Sequence, residues 1–300
     1  MQGPGPDALH MPEVLGMIIH DMPEVEYHAR PELSSHDARA LLESPMKFRY
    51  AKDNNVREDK PEFDLGTAVH SKVLGVGAQA VAYPPDKLAS NGAASTNEAK
   101  AWAEEQRQAG RVPVKAATLE TINAASEAVL AFPDARALLE VPGHAEATLI
   151  ATDPDTGVDV RCRFDFLPNG PERRIVDIKT ATSAQPAAFA ASAVRIGYHI
   201  QRSFYLDALR FELPAEGRSA EVAFVVVELE PPYMVAVHYF DLTACEMGDV
   251  EARRARELYA ACVATNTWPR WVGDDGGPTD LTAPMWSIYE FQDKYGEIGQ

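Results

Sequence analysis

An acidic residue and a basic residue lie close together among the apolar residues of one stretch of the chain, RRIVDIKTAT. Asp177 and Lys179 are two positions apart there, so both side chains would point to the same face of a β-strand. Asp165 lies in the preceding strand-like segment, RCRFDFL. Neighbouring strands run about 4.8 Å apart, which allows two aspartates to converge on one cation. Because Mg²⁺ and Mn²⁺ prefer carboxylate ligands, these residues predict a divalent-metal site.

Three further features fit the same chemistry. Lys179 could hold or deprotonate an attacking water, or steady a phosphate oxygen. Glu146, on a strand before Asp165, faces the same sheet and could complete the acid set. His70, in the helical segment FDLGTAVHSKVLG, could add a neutral imidazole ligand.

Each of these residues also has a structural interpretation. Asp177 and Lys179 alone could form a solvated ion pair, and His70 could be a hydrogen-bonded helix histidine. Asp165 could cap a turn, and Glu146 could be a surface acid of a strand. The functional interpretation is favoured for the set as a whole, because an idle charge within an apolar strand is energetically costly.

Composition narrows the class of protein. The 300 residues are 46% apolar, enough for a sizeable core. No run of 18 apolar residues and no basic-then-apolar N-terminus is present, so we expect no membrane span or secretory signal and a cytoplasmic location. Cys162, Cys245 and Cys262 form no CxxC pair, which argues against a zinc site or an iron–sulfur cluster built from cysteine and suits a reducing compartment.

The charge distribution is uneven. A formal net charge of −17 argues against a protein that coats nucleic acid through Lys and Arg. Residues 161–205 nevertheless carry seven Lys or Arg against three Asp or Glu. A local basic field is sufficient for a site, so contact with phosphate remains open.

The first half of the chain is predicted to be mainly helical. Residues 1–30 show little periodicity and are expected to form a loosely held N-terminal arm, and residues 76–96 are expected to be loop. Ser34 or Ser35 would cap the helix predicted for LSSHDARALLES. Helical periodicity marks four segments: LSSHDARALLES, FDLGTAVHSKVLG, residues 97–109 and residues 117–131.

Strands begin at about residue 144. HAEATLIATDPDTGVDVRCRFDFL predicts a hairpin around DPDTG, RRIVDIKT a third strand, and a second hairpin turns at Pro231 and Pro232. One or two helices precede that hairpin and one long helix follows it. The pattern predicts an α/β fold with a mixed central sheet flanked by helices. The predicted domain spans residues 31–270, with a mainly helical part (31–140) and a sheet core with flanking helices (144–270). A C-terminal tail (271–300) follows it.

Four segments, in this order, resemble the PD-(D/E)XK nuclease superfamily: FDLGTAVHSKVL, RCRFDFL, IVDIKTAT and GYHIQRSFYLDAL. The resemblance runs from about Leu33 to Trp268 and is strongest to the exonuclease VIII (RecE-type) group of phages and prophages. It implies a restriction-endonuclease-like core and Mg²⁺-dependent hydrolysis of DNA phosphodiesters, with Mn²⁺ as a substitute. For that group it implies 5′-to-3′ digestion of linear duplex DNA, which leaves 3′ single strands for recombination.

The resemblance also implies roles for individual residues. It makes Asp165 and Asp177 the metal-binding carboxylates and Lys179 the catalytic lysine. His70 corresponds to an additional metal ligand of the RecB-like branch, and Glu146 to the acid that precedes the first aspartate in many members.

A helix downstream adds two more positions. Gln201 and Tyr205, in a QxxxY pattern, correspond to residues that support the site and contact DNA, and their spacing of four puts them on one helix face. The family usually has proline before the first aspartate, where this chain has Phe164. Four arginines could bind backbone phosphates or be solvated surface residues: Arg161, Arg163, Arg195 and Arg202. No motif for reading bases is visible, so we expect sequence-independent binding.

The resemblance further implies partners. They are duplex DNA ends, a single-strand annealing recombinase and other copies of the chain, in a tetramer or ring, within a bacterium or a phage-infected host. Two alternatives remain open: an endonuclease of the superfamily, and an inactive DNA-binding or assembly module of the same fold. Closed circular plasmid separates the first alternative from an exonuclease, and Mn²⁺ binding tests the second.

Overall fold

The computed structural model of the protein describes residues 18–54, 65–170, 173–271 and 277–297. Its strands, in chain order, are β1 (Ile18–Ile19), β2 (Gln79–Ala82), β3 (Arg111–Val114), β4 (Gly143–Thr152), β5 (Asp159–Pro168), β6 (Arg174–Ala181), β7 (Glu221–Glu228) and β8 (Val235–His238). Its helices are α1 (Glu24–Ala29), α2 (Ser35–Glu43), α3 (Pro45–Asp53), α4 (Leu65–Leu74), α5 (Asn97–Gln108), α6 (Ala116–Ala131), α7 (Pro133–Leu139), α8 (Pro186–Ile196), α9 (Tyr198–Glu212), α10 (Pro214–Gly217), α11 (Leu242–Thr265) and α12 (Met285–Tyr295).

The main sheet has six strands in the order β1-β4-β5-β6-β7-β8. β6 and β7 pair in parallel, and the other neighbouring strands pair antiparallel. A parallel pair needs a long crossover, and α8 to α10 supply it here. The predicted α/β fold with a mixed central sheet is therefore confirmed.

Apolar side chains cover both faces of this sheet. In β7, Phe224 and Val226 lie in a first core, and Ala223 and Val225 lie in a second core. Helices α2, α9 and α11 pack on the first side, and α4, α6 and α7 pack on the second. Burial on both faces explains why this strand is an uninterrupted apolar run.

The side chains of the β4–β5 hairpin switch from one face of the sheet to the other at Glu146. Ala147 pairs with Phe164, and both pack in the first core, whereas Ala145 pairs with Phe166 and both pack on the second. In a regular strand, residues two apart share a face. The backbone φ of Glu146 is 53°, in the left-handed region, which accounts for the reversal within β4.

Two helix boundaries within the predicted domain have local causes. Ser34 caps α2 in a capping box with Asp37, as the sequence predicts. The segment predicted as one or two helices is two, because Gly197 adopts a φ of 86° between α8 and α9. Phe63 and Asp64, in the predicted second helix, lie outside the described residues.

Some regular structure lies where the sequence suggests loop. β2 falls within residues 76–96 and pairs in parallel with β3 in a separate two-stranded sheet. Residues 18–30, predicted as part of a loose arm, contain β1 and α1, and β1 pairs with β4. These pieces are too short to show a hydrophobic period. In the part of the chain that the structure describes, no helix has the length and apolarity needed to cross a bilayer.

Candidate active site

Asp165 and Asp177 lie opposite each other on neighbouring strands. β5 and β6 pair through Phe166 and Val176, and one step further along both strands brings the two aspartates together. Asp165 Oδ2 accepts a hydrogen bond of 2.6 Å from the backbone N–H of Ile178. Both acids lie inside their strands, next to the pair formed by Phe166 and Val176.

Lys179 contacts Asp177 and the ring of Tyr198. Its ammonium forms an ion pair with Asp177 Oδ1 and lies 4.6 Å from the centroid of the Tyr198 ring. Burial alone would lower the pKa of Lys179, but the carboxylates of Asp177 and Asp165 outweigh burial and raise it. Lys179 is therefore an ammonium in the described structure, which favours stabilisation of negative charge over acceptance of a proton.

α9 fixes the other oxygen of Asp177. Gln201 Nε2 donates hydrogen bonds of 2.8 Å to Asp177 Oδ2 and 2.8 Å to the hydroxyl of Tyr205. Phe164, the residue in place of the usual proline, is fully buried and packs edge-on against Tyr205 at 5.2 Å between ring centroids. The residue before Asp165 thus supports the helix that orients Asp177, and Asp165 keeps its backbone contact.

His70 lies between two carboxylates. Its Nδ1 is 3.3 Å from Glu146 Oε1, and its Nε2 is 3.0 Å from Asp165 Oδ1. α4 presents His70 toward β4 and β5 because the neighbouring Val69 is fully buried in the second core. Burial would lower the pKa of His70, but Asp165 and then Glu146 raise it to about 9, so the ring is an imidazolium here.

The donor set suits a hard divalent cation. It holds three carboxylates and one imidazole, and burial raises the pKa of Asp177 to about 6 although Lys179 opposes that shift. Asp177 Oδ1 is buried and has no hydrogen bond of regular geometry beyond its contact with the ammonium. Among the described residues, no three such side chains already surround a common point as metal ligands do. His70 instead contacts Glu146 and Asp165 directly.

Arg161 does not suit its predicted contact with DNA. It is 3% exposed, and its Nη1 donates to the carbonyl of Arg30 at 2.8 Å and also to that of Glu32. Its Nη2 lies 3.5 Å from Asp37 Oδ2. A guanidinium enclosed in this way holds the chain segment before α2 and presents nothing to a phosphate.

The other three predicted arginines differ in exposure. Arg163 is largely buried and contacts Glu146, so it also points inward. The side chain of Arg202 is 16% exposed and pairs with Asp249 Oδ1 at 3.0 Å. Arg195, in the last turn of α8, is the most exposed of the four. Three of these four arginines are therefore enclosed or paired with acids, and one is exposed.

Two aromatic residues at the site did not stand out in the sequence. Tyr198 contacts Lys179, and Tyr27 lies beside the guanidinium groups of Arg161 and Arg163. Tyr198 lies three positions before Gln201 on α9, so the helical period could have identified it. Tyr27 has no comparable signal, because its contacts join segments that are far apart in sequence.

Comparisons with known proteins agree with this fold. The family model described as a PDDEXK-like domain of unknown function (DUF3799) matches residues 34–274. A candidate exonuclease from Eubacterium rectale has a similar structure, with a TM-score of 0.54 and 12% identity over 92% of this chain and 99% of that one. The protein SSO0001 is more distant, with a TM-score of 0.26 and 14% identity over 64% of this chain and 84% of that one. No curated protein matches the sequence. The chain belongs to the DUF3799 family of PDDEXK-like domains.

Proposed function

We propose that this protein is a divalent-metal-dependent DNA nuclease, and specifically an exonuclease that digests linear duplex DNA from its ends. One observation carries the proposal: Asp165 and Asp177 face each other across two strands, with Lys179 and His70 in contact with them. Membership of a PDDEXK-like family supports the same activity.

The donor set assigns a role to each acidic residue. Asp165 and Asp177, with Glu146 and His70, would hold Mg²⁺ or Mn²⁺. Such an ion, when bound, neutralises charge on the phosphate and makes a water molecule more acidic. His70 must give up its proton to become a ligand, because a protonated imidazole has no free lone pair.

The remaining residues position and stabilise charge. The Lys179 ammonium would lie against an oxygen of the phosphate and stabilise the negative charge that develops there. Gln201 holds Asp177 in one orientation, and the hydroxyl of Tyr205 holds Gln201. This chain of contacts keeps the ion pair of Asp177 and Lys179 in place before a substrate binds.

The finer assignments rest on the resemblance to the exonuclease VIII group. They are digestion from 5′ to 3′, release of 3′ single strands for an annealing recombinase, assembly into a ring or tetramer, and a cytoplasmic setting. The neighbouring structure from Eubacterium rectale is described as a candidate exonuclease, which supports this type of activity. Exposed Arg195 is the candidate for a sequence-independent phosphate contact.

A cleavage assay tests the proposal. Linear duplex DNA, labelled at the 5′ or the 3′ end, is incubated with Mg²⁺ or with a chelator, beside covalently closed plasmid. We expect metal-dependent loss of the linear duplex, survival of the plasmid, and release of the 5′ label first. Lys179→Ala should abolish digestion, and Arg253→Gln, an exposed substitution on α11, should not change it.

Each other outcome removes a part of the proposal. Cutting of closed plasmid would identify an endonuclease, and first release of the 3′ label would reverse the polarity. Full activity of Lys179→Ala would show that the site is assigned wrongly. Failure of the wild type to bind Mn²⁺ at millimolar concentration, measured by calorimetry, would favour an inactive module.

A further inference from the structure

The segment Ile18–Glu32, which we call the N-terminal brace, crosses the outer strands beside the candidate site. Its strand β1 pairs with β4, where Ile18 lies opposite Leu149. Its helix α1 places the ring of Tyr27 over two arginines of β5, with the guanidinium carbon of Arg163 at 4.4 Å and that of Arg161 at 5.2 Å from the ring centroid. The brace therefore packs onto the strand that carries Asp165.

Arg163 joins this brace to Glu146. Its Nη2 donates a hydrogen bond of 2.7 Å to the carbonyl of Met22, in the brace. Its Nε donates to Thr148 Oγ1 at 3.1 Å and lies 3.5 Å from Glu146 Oε2. The side chain is 12% exposed, so little water competes for these contacts. The Arg163 guanidinium is thus held by the carbonyl of Met22 on one side and pairs with Glu146 on the other.

Glu146 needs such support more than the other acids do. Its φ of 53° is strained for a residue with a β-carbon, and its side chain is 28% exposed, against 1% for Asp177. His70 contacts one oxygen of Glu146, and Arg163 contacts the other. Two cations therefore orient the Glu146 carboxylate. Of the two, Arg163 is the one that always keeps its charge.

We propose that Arg163 is a positioning residue, which the N-terminal brace holds so that Glu146 points into the metal site. This inference rests on the proposed function, because it takes Glu146 as a metal ligand. It replaces the prediction that Arg163 binds DNA: the guanidinium acts through Glu146 and does not touch the substrate.

Arg161 provides a matched control on the same strand. It lies two residues from Arg163, stacks on the same Tyr27 and bonds to carbonyls of the brace. The acidic partner of Arg161 is Asp37, which lies outside the site. Loss of Arg161 should therefore weaken the attachment of the brace without removing the contact to Glu146.

A double-mutant cycle tests the inference. Mn²⁺ affinity is measured by calorimetry for wild type, Arg163→Gln, Glu146→Gln, the double variant and Arg161→Gln. We expect Arg163→Gln to weaken Mn²⁺ binding by about 10-fold, the lower end of effects seen for residues that support metal ligands. In the Glu146→Gln background the same change should weaken it by less than about twofold, since the contact is already lost.

Two further measurements separate positioning from other roles. Arg163→Gln should lower kcat and leave the affinity for duplex DNA in chelator within about twofold, whereas loss of a phosphate contact would weaken DNA binding and its salt dependence. Arg163→Lys keeps the charge and should recover part of the Mn²⁺ affinity. If Arg163→Gln does not fold, Arg163→Lys in both backgrounds completes the same cycle with a smaller expected loss.

The unfavourable outcomes are distinct. Equal losses of Mn²⁺ affinity from Arg163→Gln in both backgrounds would overturn the inference while leaving the nuclease proposal intact. An equally large loss from Arg161→Gln would show that the brace acts on overall stability, and would also overturn the inference. Absence of Mn²⁺ binding by wild type would overturn the proposed function first.

Discussion

Two clusters of buried charge in this molecule use similar residues in opposite ways. The turn between β4 and β5 holds Asp153, which is 2% exposed and accepts hydrogen bonds from Arg256 Nε at 2.7 Å, Thr156 Oγ1 at 2.9 Å and the Asp155 N–H at 3.0 Å. Arg256 also donates to Asp207 Oδ2 at 2.9 Å. The cluster connects this turn to α9 and α11.

The pKa values move in opposite directions in the two clusters. Burial would raise the pKa of Asp153, but the hydrogen bonds from Asp155 and Arg256 lower it below its usual range. Burial raises the pKa of Asp177 to about 6, and Lys179 offsets only part of that effect. The acid of the turn is therefore stabilised as a carboxylate, whereas the acid of the site is held ionised at an energetic cost.

The cations differ as well. Arginine keeps its charge at any pH the fold tolerates, so the turn cluster is permanently paired. His70 can lose its proton and leave two carboxylates for another cation. A permanent partner suits stability, and an exchangeable partner suits a site that takes up a metal ion. Replacing Asp by Asn should therefore have different effects on DNA cleavage and on stability in the two clusters.

The largest difference should be in DNA cleavage. Asp177→Asn removes a proposed metal ligand and the partner of Lys179, so we expect cleavage to fall by roughly 1000-fold, a loss of about 4 kcal/mol in transition-state stabilisation. Asp153→Asn should change the activity of the folded fraction by less than about threefold. Cleavage rates with Mg²⁺, corrected for the folded fraction by circular dichroism, decide the matter. Comparable losses of cleavage activity in both variants would contradict the proposed difference between the two clusters.

Stability should respond in the reverse order. Asp153→Asn leaves the buried Arg256 with Asp207 as its one remaining carboxylate partner in the cluster, which should lower the free energy of unfolding by about 3 kcal/mol. Asp177→Asn removes a carboxylate that the fold disfavours, and the loss of a partner for Lys179 opposes this gain, so we expect a change under about 1 kcal/mol. Urea unfolding without metal measures both values. A larger loss for Asp177→Asn would contradict the comparison.

The pH dependence should show part of the same difference. Because the pKa of Asp153 is lower when folded than its usual 3.8, its stabilising effect is present above about pH 4 and is lost as pH falls through the folded value. The stability difference between wild type and Asp153→Asn should thus be constant from pH 7 to 5 and narrow below pH 4. Urea unfolding at several pH values measures it. A difference that widens in acid would reverse the assigned sign.

The smallest effect concerns the aromatic neighbour of Lys179. The Tyr198 ring faces the ammonium of Lys179, and such a contact contributes about 1 kcal/mol. We expect Tyr198→Leu to lower kcat by about fivefold, and Tyr198→Phe, which keeps the ring, to stay within twofold of wild type. Equal losses in the two variants would assign the effect to the hydroxyl. Steady-state cleavage of labelled duplex makes the measurement.

Much of the site could be anticipated because its residues lie in regular elements. The strand period puts Asp177 and Lys179 on one face, and the helical period puts Gln201 and Tyr205 on one face. The structure brings these residues together with Asp165. Such periods depend only on local backbone geometry, so they can be read from the sequence.

The roles of the arginines could not be anticipated in the same way. Arg161 and Arg163 bond to carbonyls of the N-terminal brace, more than a hundred residues away, and no local pattern encodes that contact. The left-handed φ of Glu146 is equally hidden, since glutamate is not a residue that favours it. Charge patterns indicate where arginines occur, whereas long-range packing decides what they bind.

The reversal of facing at Glu146 has a thermodynamic consequence. It places the acids where the two cores meet, so that His70 comes from the second side and Gln201 from the first. A cation bound to His70 and to Asp177, which Gln201 holds, would link the opening of one core to the opening of the other. Metal binding should then slow hydrogen exchange of backbone amides in α4 and α9 together, although the two helices pack on opposite faces of the sheet.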